Sequence, residues 1–200
     1  MTPVTQPKVQ PPKGARTRAS ILDRAVDLAS VEGLEGLTIG RLAAELQMSK
    51  SGLFAHFGSK QELQLATVAA AAERFRVRVI DPALELPDGA PRLRAMAELY
   101  LDQLRDYSGG CFFAATAAEY DDRPGPVRDA IAASLDAWTG ELERQAGIAG
   151  VDDPGRYAFE LFALAMGANS RYRLSGNDEV FAYAREAIDR LLVGLPGENG

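Results

Sequence analysis

Residues 37–60, Leu-Thr-Ile-Gly-Arg-Leu-Ala-Ala-Glu-Leu-Gln-Met-Ser-Lys-Ser-Gly-Leu-Phe-Ala-His-Phe-Gly-Ser-Lys, constrain the fold more than any other stretch of the chain. Ile39, Leu42, Ala43 and Leu46 recur at i, i+3, i+4 and i+7, the spacing of one apolar helix face. The pattern stops at Gln47-Met48, and Ser49 supplies an acceptor suited to capping a new helix. In that second helix Leu53 and Phe57 lie four apart and turn inward together, which leaves Lys50, Ser51, Phe54 and His56 for solvent or a ligand. A helix this short is marginal alone in water, so its neighbours must hold it. Two short helices joined by a tight turn are the unit that lays its second helix in the major groove of DNA.

A net charge of -6 argues against nucleic acid until it is located along the chain. Residues 1–60 carry 8 Lys/Arg and 5 Asp/Glu, or +3; the remaining 14 basic and 23 acidic side chains give residues 61–200 a balance of -9. The basic end is the end with the two short helices.

Residues 1–14 hold four prolines and no apolar period and read as a flexible basic tail, residues 15–60 as the helix-turn-helix domain. The tail is either a plain disordered terminus or, through Lys13, Arg16 and Arg18, an arm for the adjacent minor groove. A first helix over about 15–32 places Ile21, Ala25, Leu28 and Ala29 on one face and ends at Gly33 and Gly36. Ser59 opens a connecting helix, 59–79, with a capping box in which Ser59 accepts from the Glu62 amide and the Glu62 carboxylate returns to the Ser59 amide. Pro82, Pro87, Asp88-Gly89 and Pro91 then break the chain. Five more helices are predicted in residues 80–200, at about 91–106, 110–119, 125–147, 154–174 and 178–193. No strand-type alternation and no repeat intervene, so the fold class is all-α with about nine helices.

Leu37-Thr38, Leu42-Ala43, Leu46, Leu53-Phe54-Ala55-His56-Phe57 and Ser59-Lys60, with the amphipathic helix before them, resemble the DNA-binding domain of TetR-type transcriptional regulators. The detailed match covers roughly residues 15–75; the rest agrees in length and helical layout. The resemblance implies that Lys50, Ser51, Phe54, His56 and Lys60 meet operator DNA. Lys50, in the first turn of the recognition helix, is the candidate for guanine O6/N7. Phe54 stands where a tyrosine is common, so a phenolic phosphate contact is absent and a thymine methyl is its natural neighbour. His56 reads as a phosphate contact or as a solvated imidazole. Thr38 caps the preceding short helix and suits a phosphate, whereas Gly40 offers no side chain where some relatives place a basic one. Lys60 sits where side-chain charge and helix dipole act on a phosphate together.

In the second half, Tyr157, Phe159, Leu161, Phe162, Leu164, Ala165, Met166 and Ala168 cover most of one helix, and Phe181, Ala184, Ile188, Leu191 and Leu192 stripe the last. Two such helices meeting their symmetry mates give a four-helix homodimer interface, which the resemblance also implies. Met96, Tyr100, Phe112, Phe113, Trp138, Phe159, Phe162 and Met166, with Glu119, Asn169 and Arg173 as polar groups, are candidates to line a small-molecule effector pocket. Taken singly each reads as core; the set, with the resemblance, implies a pocket. The implied mechanism is repression of a double-stranded palindromic operator, relieved when the effector shifts the dimer away from the half-site spacing.

Other classes fare worse. One histidine and one cysteine, 55 positions apart, suggest no catalytic dyad, and there is no metal-ligand cluster, nucleophile elbow or phosphate loop. The expectation is therefore no enzyme, no metal and no cofactor. Asp121-Asp122 and Asp152-Asp153 fit loops and caps. Cys111 alone cannot form an internal disulfide, in keeping with a cytoplasmic location; it reads as core, with a redox sensor as the alternative. No apolar run reaches 18 residues and no apolar signal core opens the chain, which argues against membrane and export. A helical interaction module that ignores DNA is the competing reading, and Lys50 and Lys60 argue against it.

Overall fold

The described residues of the structure, a computed structural model, are 13–105, 107–193 and 195. The predicted tail lies outside them except for residues 13 and 14, which begin the first helix. In chain order the elements are α1 (Lys13–Glu32), α2 (Ile39–Glu45), α3 (Lys50–Phe57), α4 (Lys60–Phe75), a π-helical stretch (Arg76–Ile80), α5 (Asp81–Leu84), α6 (Ala90–Gln103), α7 (Phe112–Tyr120), α8 (Pro126–Ile148), α9 (Pro154–Ser175) and α10 (Glu179–Leu192). Because α4, the π stretch and α5 run on without a break, the described residues form nine continuous helices and no strand, the all-α class that the periodicity predicts.

The connecting helix outruns its predicted end near Val79 and continues through Pro82 to Leu84. Proline lacks an N–H and its ring crowds the carbonyl four residues back. Here the wider π turn immediately precedes it, with the Asp81 amide donating back to the Arg76 carbonyl, and the looser winding accommodates Pro82. The break falls instead at Gly89, whose φ of 92° no other residue type adopts freely.

Two apolar clusters organise the helices. In one, Val79, Leu93, Met96, Tyr100, Leu101 and Leu104 pack with Trp138, Leu142, Leu161, Ala165, Phe181 and Ile188. In the other, Ile21, Ala25, Leu28, Leu34, Leu37, Leu42, Leu53, Phe57, Leu63 and Val68 pack with Tyr107, Phe112, Tyr120, Val127 and Ile131. The core around α1–α4 therefore does not close within the first 75 residues: α7 and the first turns of α8 complete it.

Candidate functional site

The α2–α3 pair, the predicted reading head, is assembled from caps and two buried anchors. Thr38 Oγ1 accepts from the Arg41 amide at the start of α2, and Ser49 Oγ accepts from the Gly52 amide at the start of α3. Between them Gln47 takes a left-handed φ of 52°, which turns the chain sharply enough for α3 to cross α2. Leu53 and Phe57 are buried on the inner side of α3. Lys50, Ser51 and Phe54 are exposed on its outer side, Phe54 at 55 % despite being apolar, and His56 is half-buried beside Phe57. Arg16 and Arg18 are exposed on α1, and the Arg18 guanidinium lies 5.1 Å from the centroid of the Phe57 ring. Gly40 leaves room for the Lys50 stem: a Cβ there would sit 3.4 Å from Lys50 Cε.

At the start of α4, Ser59 Oγ accepts from the Glu62 amide at 3.1 Å, but the predicted return from the Glu62 carboxylate is replaced. The Ser59 amide donates to the Phe57 carbonyl at 2.8 Å, because the turn at Gly58 folds that carbonyl back within reach. Lys60 is half-buried and pairs with the Glu35 carboxylate. Lys60 holds Glu35 below the ordinary carboxylate range, with a further hydrogen bond from the Tyr120 hydroxyl at 3.1 Å.

Several ties hold the α1–α2 loop to distant elements. The Glu119 carboxylate accepts from the amides of Leu34 and Glu35, and buried Gln64 donates to the Leu34 carbonyl and to Tyr120 Oη. Arg24 pairs with Asp27 and Glu45, and Arg41 with Glu32 and Glu45, so two of the basic side chains in this half lock α1 to α2. Sequence reasoning missed these ties. Most of their partners are far apart along the chain, and only the Arg24–Asp27 spacing of three and the Arg41–Glu45 spacing of four offered a local sign.

A cavity of about 570 Å³ opens between α4 and its continuation, α6, α7 and α8. Phe75, Tyr100, Phe113 and Trp138 give its aromatic wall, Ile80, Leu84 and Leu135 its aliphatic wall, and Ser134, Arg76, Glu141 and Arg144 are its main polar groups. Of the predicted lining only Tyr100, Phe113 and Trp138 lie here. Met96 and Phe112 are fully buried in the two cores, Phe162 and Met166 pack on the outside of the first, and Met166 Sδ lies 3.9 Å from the Tyr100 hydroxyl. Glu119 is spent on the α1–α2 loop. Asn169 Oδ1 accepts from the Cys111 amide at 3.0 Å, and the Arg173 stem packs against Gly110. Phe159 points outward, 69 % exposed. The pattern of α9 suggested a cavity wall, but α4 and α8 approach each other closely enough to form that wall themselves. Cys111 is buried against Tyr100, and burial pushes its thiol above the ordinary range, as for a core cysteine.

A second, open groove of about 820 Å³ runs along α9 and α10, lined by Phe159, Ala163, Leu164, Gly167, Tyr183 and Leu191 among others. Among the described residues no helix is long and apolar enough to cross a membrane, and no His, Cys, Asp and Glu side chains gather as a metal site requires.

A short capped helix pair with an exposed recognition face, joined by one long helix to a cavity-bearing helical domain, defines the class of one-component helix-turn-helix regulators. Residues 21–67 match the family of bacterial regulatory proteins called the tetR family, and residues 89–188, half of the 200-residue chain, match the tetracyclin repressor-like C-terminal domain. The chain belongs to the TetR family, a family of transcriptional regulators and not of enzymes. It is 31 % identical over 104 residues to the HTH-type transcriptional regulator TcmR of Streptomyces glaucescens; that match spans 50 % of this chain and 44 % of TcmR, less than half its length. Among solved structures it is similar to SCO4454, a TetR-family transcriptional regulator from Streptomyces coelicolor, with a TM-score of 0.78, 27 % identity and 91 % and 90 % of the two chains covered. A TetR transcriptional regulator from Chloroflexus aurantiacus gives 0.81, 26 %, 92 % and 97 %. The same fold occurs in AibR, solved in complex with isovaleryl coenzyme A and operator DNA, with a TM-score of 0.69, 21 % identity, and 86 % and 95 % coverage.

Proposed function

We propose that the protein is a repressor that binds palindromic operator DNA as a homodimer in the cytoplasm and releases it when a small effector enters the cavity on α4, α6, α7 and α8. The observation that carries this reading is a single helix with two ends. Ser59 and Lys60 begin it beside the reading head, and Phe75, Arg76, Ile80 and Leu84 further along it wall the cavity. An effector that favours a different setting of this helix would move the recognition helix, by no more than its differential affinity for the two settings. AibR, crystallised with both an acyl coenzyme A and its operator, supports the pairing of effector with DNA.

In this reading Lys50 and Ser51 address base edges, and Thr38, Phe54, His56, Lys60, Arg16 and Arg18 address backbone and groove walls. Dimerisation uses the α9–α10 face. Phe159 and Tyr183, which line the groove between these helices, are 69 % and 59 % exposed in one chain and would be covered by a partner face. In this reading residues 15–60 carry the DNA-reading surface and residues 80–200 most of the effector and partner surfaces, with Ala72, Phe75 and Arg76 of the connecting helix completing the cavity wall.

Selection of bound fragments from a random DNA library by the purified protein, at two salt concentrations, tests the reading. Enrichment of an inverted repeat with two spaced half-sites is the expected result. Salt-sensitive binding without enrichment overturns it.

A further inference from the structure

We infer that the cavity on α4 selects an uncharged, planar aromatic effector; this rests on the effector reading above and specifies the chemistry of its ligand. Its volume, about 570 Å³, lies within the range of pockets that enclose drug-sized molecules. Three of its four aromatic side chains fix one another. The rings of Phe75 and Trp138 are 4.8 Å apart at 75°, those of Tyr100 and Trp138 5.2 Å apart at 68°, and those of Phe75 and Tyr100 5.5 Å apart at 79°. Such an edge-to-face triad is held in place before any ligand arrives, so little ordering remains to be done on binding. It presents ring edges and faces to a guest, and aromatic pairs gain beyond the area they bury, an advantage that a saturated chain lacks. Ala72, Ala133 and Ala137 keep the helical walls low where bulkier side chains would fill the space.

The charges at the cavity argue for a neutral guest. Arg76 is bonded to both Glu73 and Asp81, and Arg144 to both Glu141 and Asp88. Glu141 also accepts from Gln145. Every charged lining residue thus already has an opposite charge, and a charged ligand would have to break one of these pairs or enter an apolar space uncompensated. Ser134 Oγ, which donates to the Ala130 carbonyl, keeps its lone pairs open to a hydroxyl or amine of the guest.

The chain's only tryptophan is Trp138, on the cavity wall, so intrinsic fluorescence reports occupancy directly. Three probes decide the class: neutral N-phenyl-1-naphthylamine, the anionic 8-anilinonaphthalene-1-sulfonate built on the same rings, and the planar cation proflavine. The neutral probe should quench Trp138 with one site per chain and bind at least tenfold more tightly than either charged one. Equal or tighter binding of a charged probe, or no quenching by any of them, overturns the proposal. Ala137→Phe, which fills the cavity, should abolish quenching with the helical circular dichroism retained; undiminished quenching would place the probe elsewhere and overturn it too. Should Ala137→Phe not fold, Ala133→Leu is read in the same way. Operator release is measured separately. Neutral-selective binding that leaves operator affinity unchanged refutes the effector reading while the ligand class stands.

Discussion

The carboxylate of Glu119, on α7, accepts a 2.7 Å hydrogen bond from the backbone amide of Leu34, 85 residues earlier in the chain, and its other oxygen takes the Glu35 amide at 2.9 Å. α7 carries Phe113 of the cavity wall near its start and Glu119 near its end, so it is a second physical link, beside α4, between cavity and reading head. Glu119→Ala leaves two amides without their acceptor. It should lower stability by about 1–3 kcal/mol, the usual cost of an orphaned part-buried donor. Glu119→Gln, which keeps one carbonyl oxygen, should lose less. Urea denaturation of the three proteins checks this; equal midpoints would show that water replaces the carboxylate at no cost.

Gly33 stands directly under that carboxylate. Its φ is 80°, and a Cβ would lie 2.9 Å from Glu119 Oε1. Gly33→Ala should therefore carry two penalties, a left-handed backbone cost of roughly 1–2 kcal/mol and a displaced carboxylate. Only the first remains once Glu119 is alanine. A double-mutant cycle on unfolding free energy should be non-additive in that direction. Strict additivity would deny the contact.

The two cases show what was legible in sequence. Ser49, Thr38 and Ser59 announce their caps because a cap is a local event, settled within four residues, and the apolar spacing of residues 39–57 fixes which side of α3 faces inward. Glu62 looked like the second half of a capping box, but the close of α3 at Gly58 brought the Phe57 carbonyl to the Ser59 amide first. The cavity was half legible. Tyr100, Phe113 and Trp138 advertise themselves by size and type, whereas Phe75, Ile80 and Leu84 belong to a helix read as a connector that stops short of the prolines. Nothing in the residues near Glu119 or Leu34 marks them as partners, since their pairing exists only once α7 has docked on α1.

Lys60 and Lys50 should fail differently. Lys60→Ala should weaken binding to all DNA sequences alike and reduce the slope of log affinity against log salt by about one, as loss of a single phosphate contact does. Lys50→Ala should relax preference at one base position, at roughly 1–3 kcal/mol on the selected site. Lys60 is paired with Glu35 in the free protein, so if Lys60 takes a phosphate as proposed, Glu35→Gln should tighten binding at low salt. Anisotropy titrations with the selected operator and a scrambled duplex separate these effects. A base-selective Lys60→Ala would reverse the assigned roles.

Stability should also fall in acid, partly through Asp27. Burial acts to raise its pKa, but the Ser108 amide at 3.0 Å and the charge of Arg24 outweigh it, and the net shift is below the ordinary 3.8. A group depressed in the folded state binds protons more readily when unfolded. Its contribution is therefore complete above the ordinary value and lost as pH falls through the folded one. Asp27→Asn should lower Tm at pH 7 and flatten the decline of Tm between about pH 5 and pH 2. A variant whose acid limb parallels that of the parent would assign the decline to other carboxylates, such as Glu45 between Arg24 and Arg41.

The groove along α9 and α10 makes the strongest demand on a second chain. Leu164 and Leu191 line it half-buried, and Phe159 and Tyr183 stand out from it. In the proposed homodimer this face would pack on its symmetry mate around a two-fold axis. Leu164→Glu would place a carboxylate on the apolar part of the groove, at a desolvation cost that the exposed Arg171 and Arg190 of its lining do not offset. The variant should run as a monomer in light scattering and lose the dependence of Tm on protein concentration that a dimer shows. It should also bind a two-half-site operator no better than a single half-site, because two recognition helices would no longer share one body. A Leu164→Glu protein that stays dimeric and keeps its operator affinity would move the interface off this face.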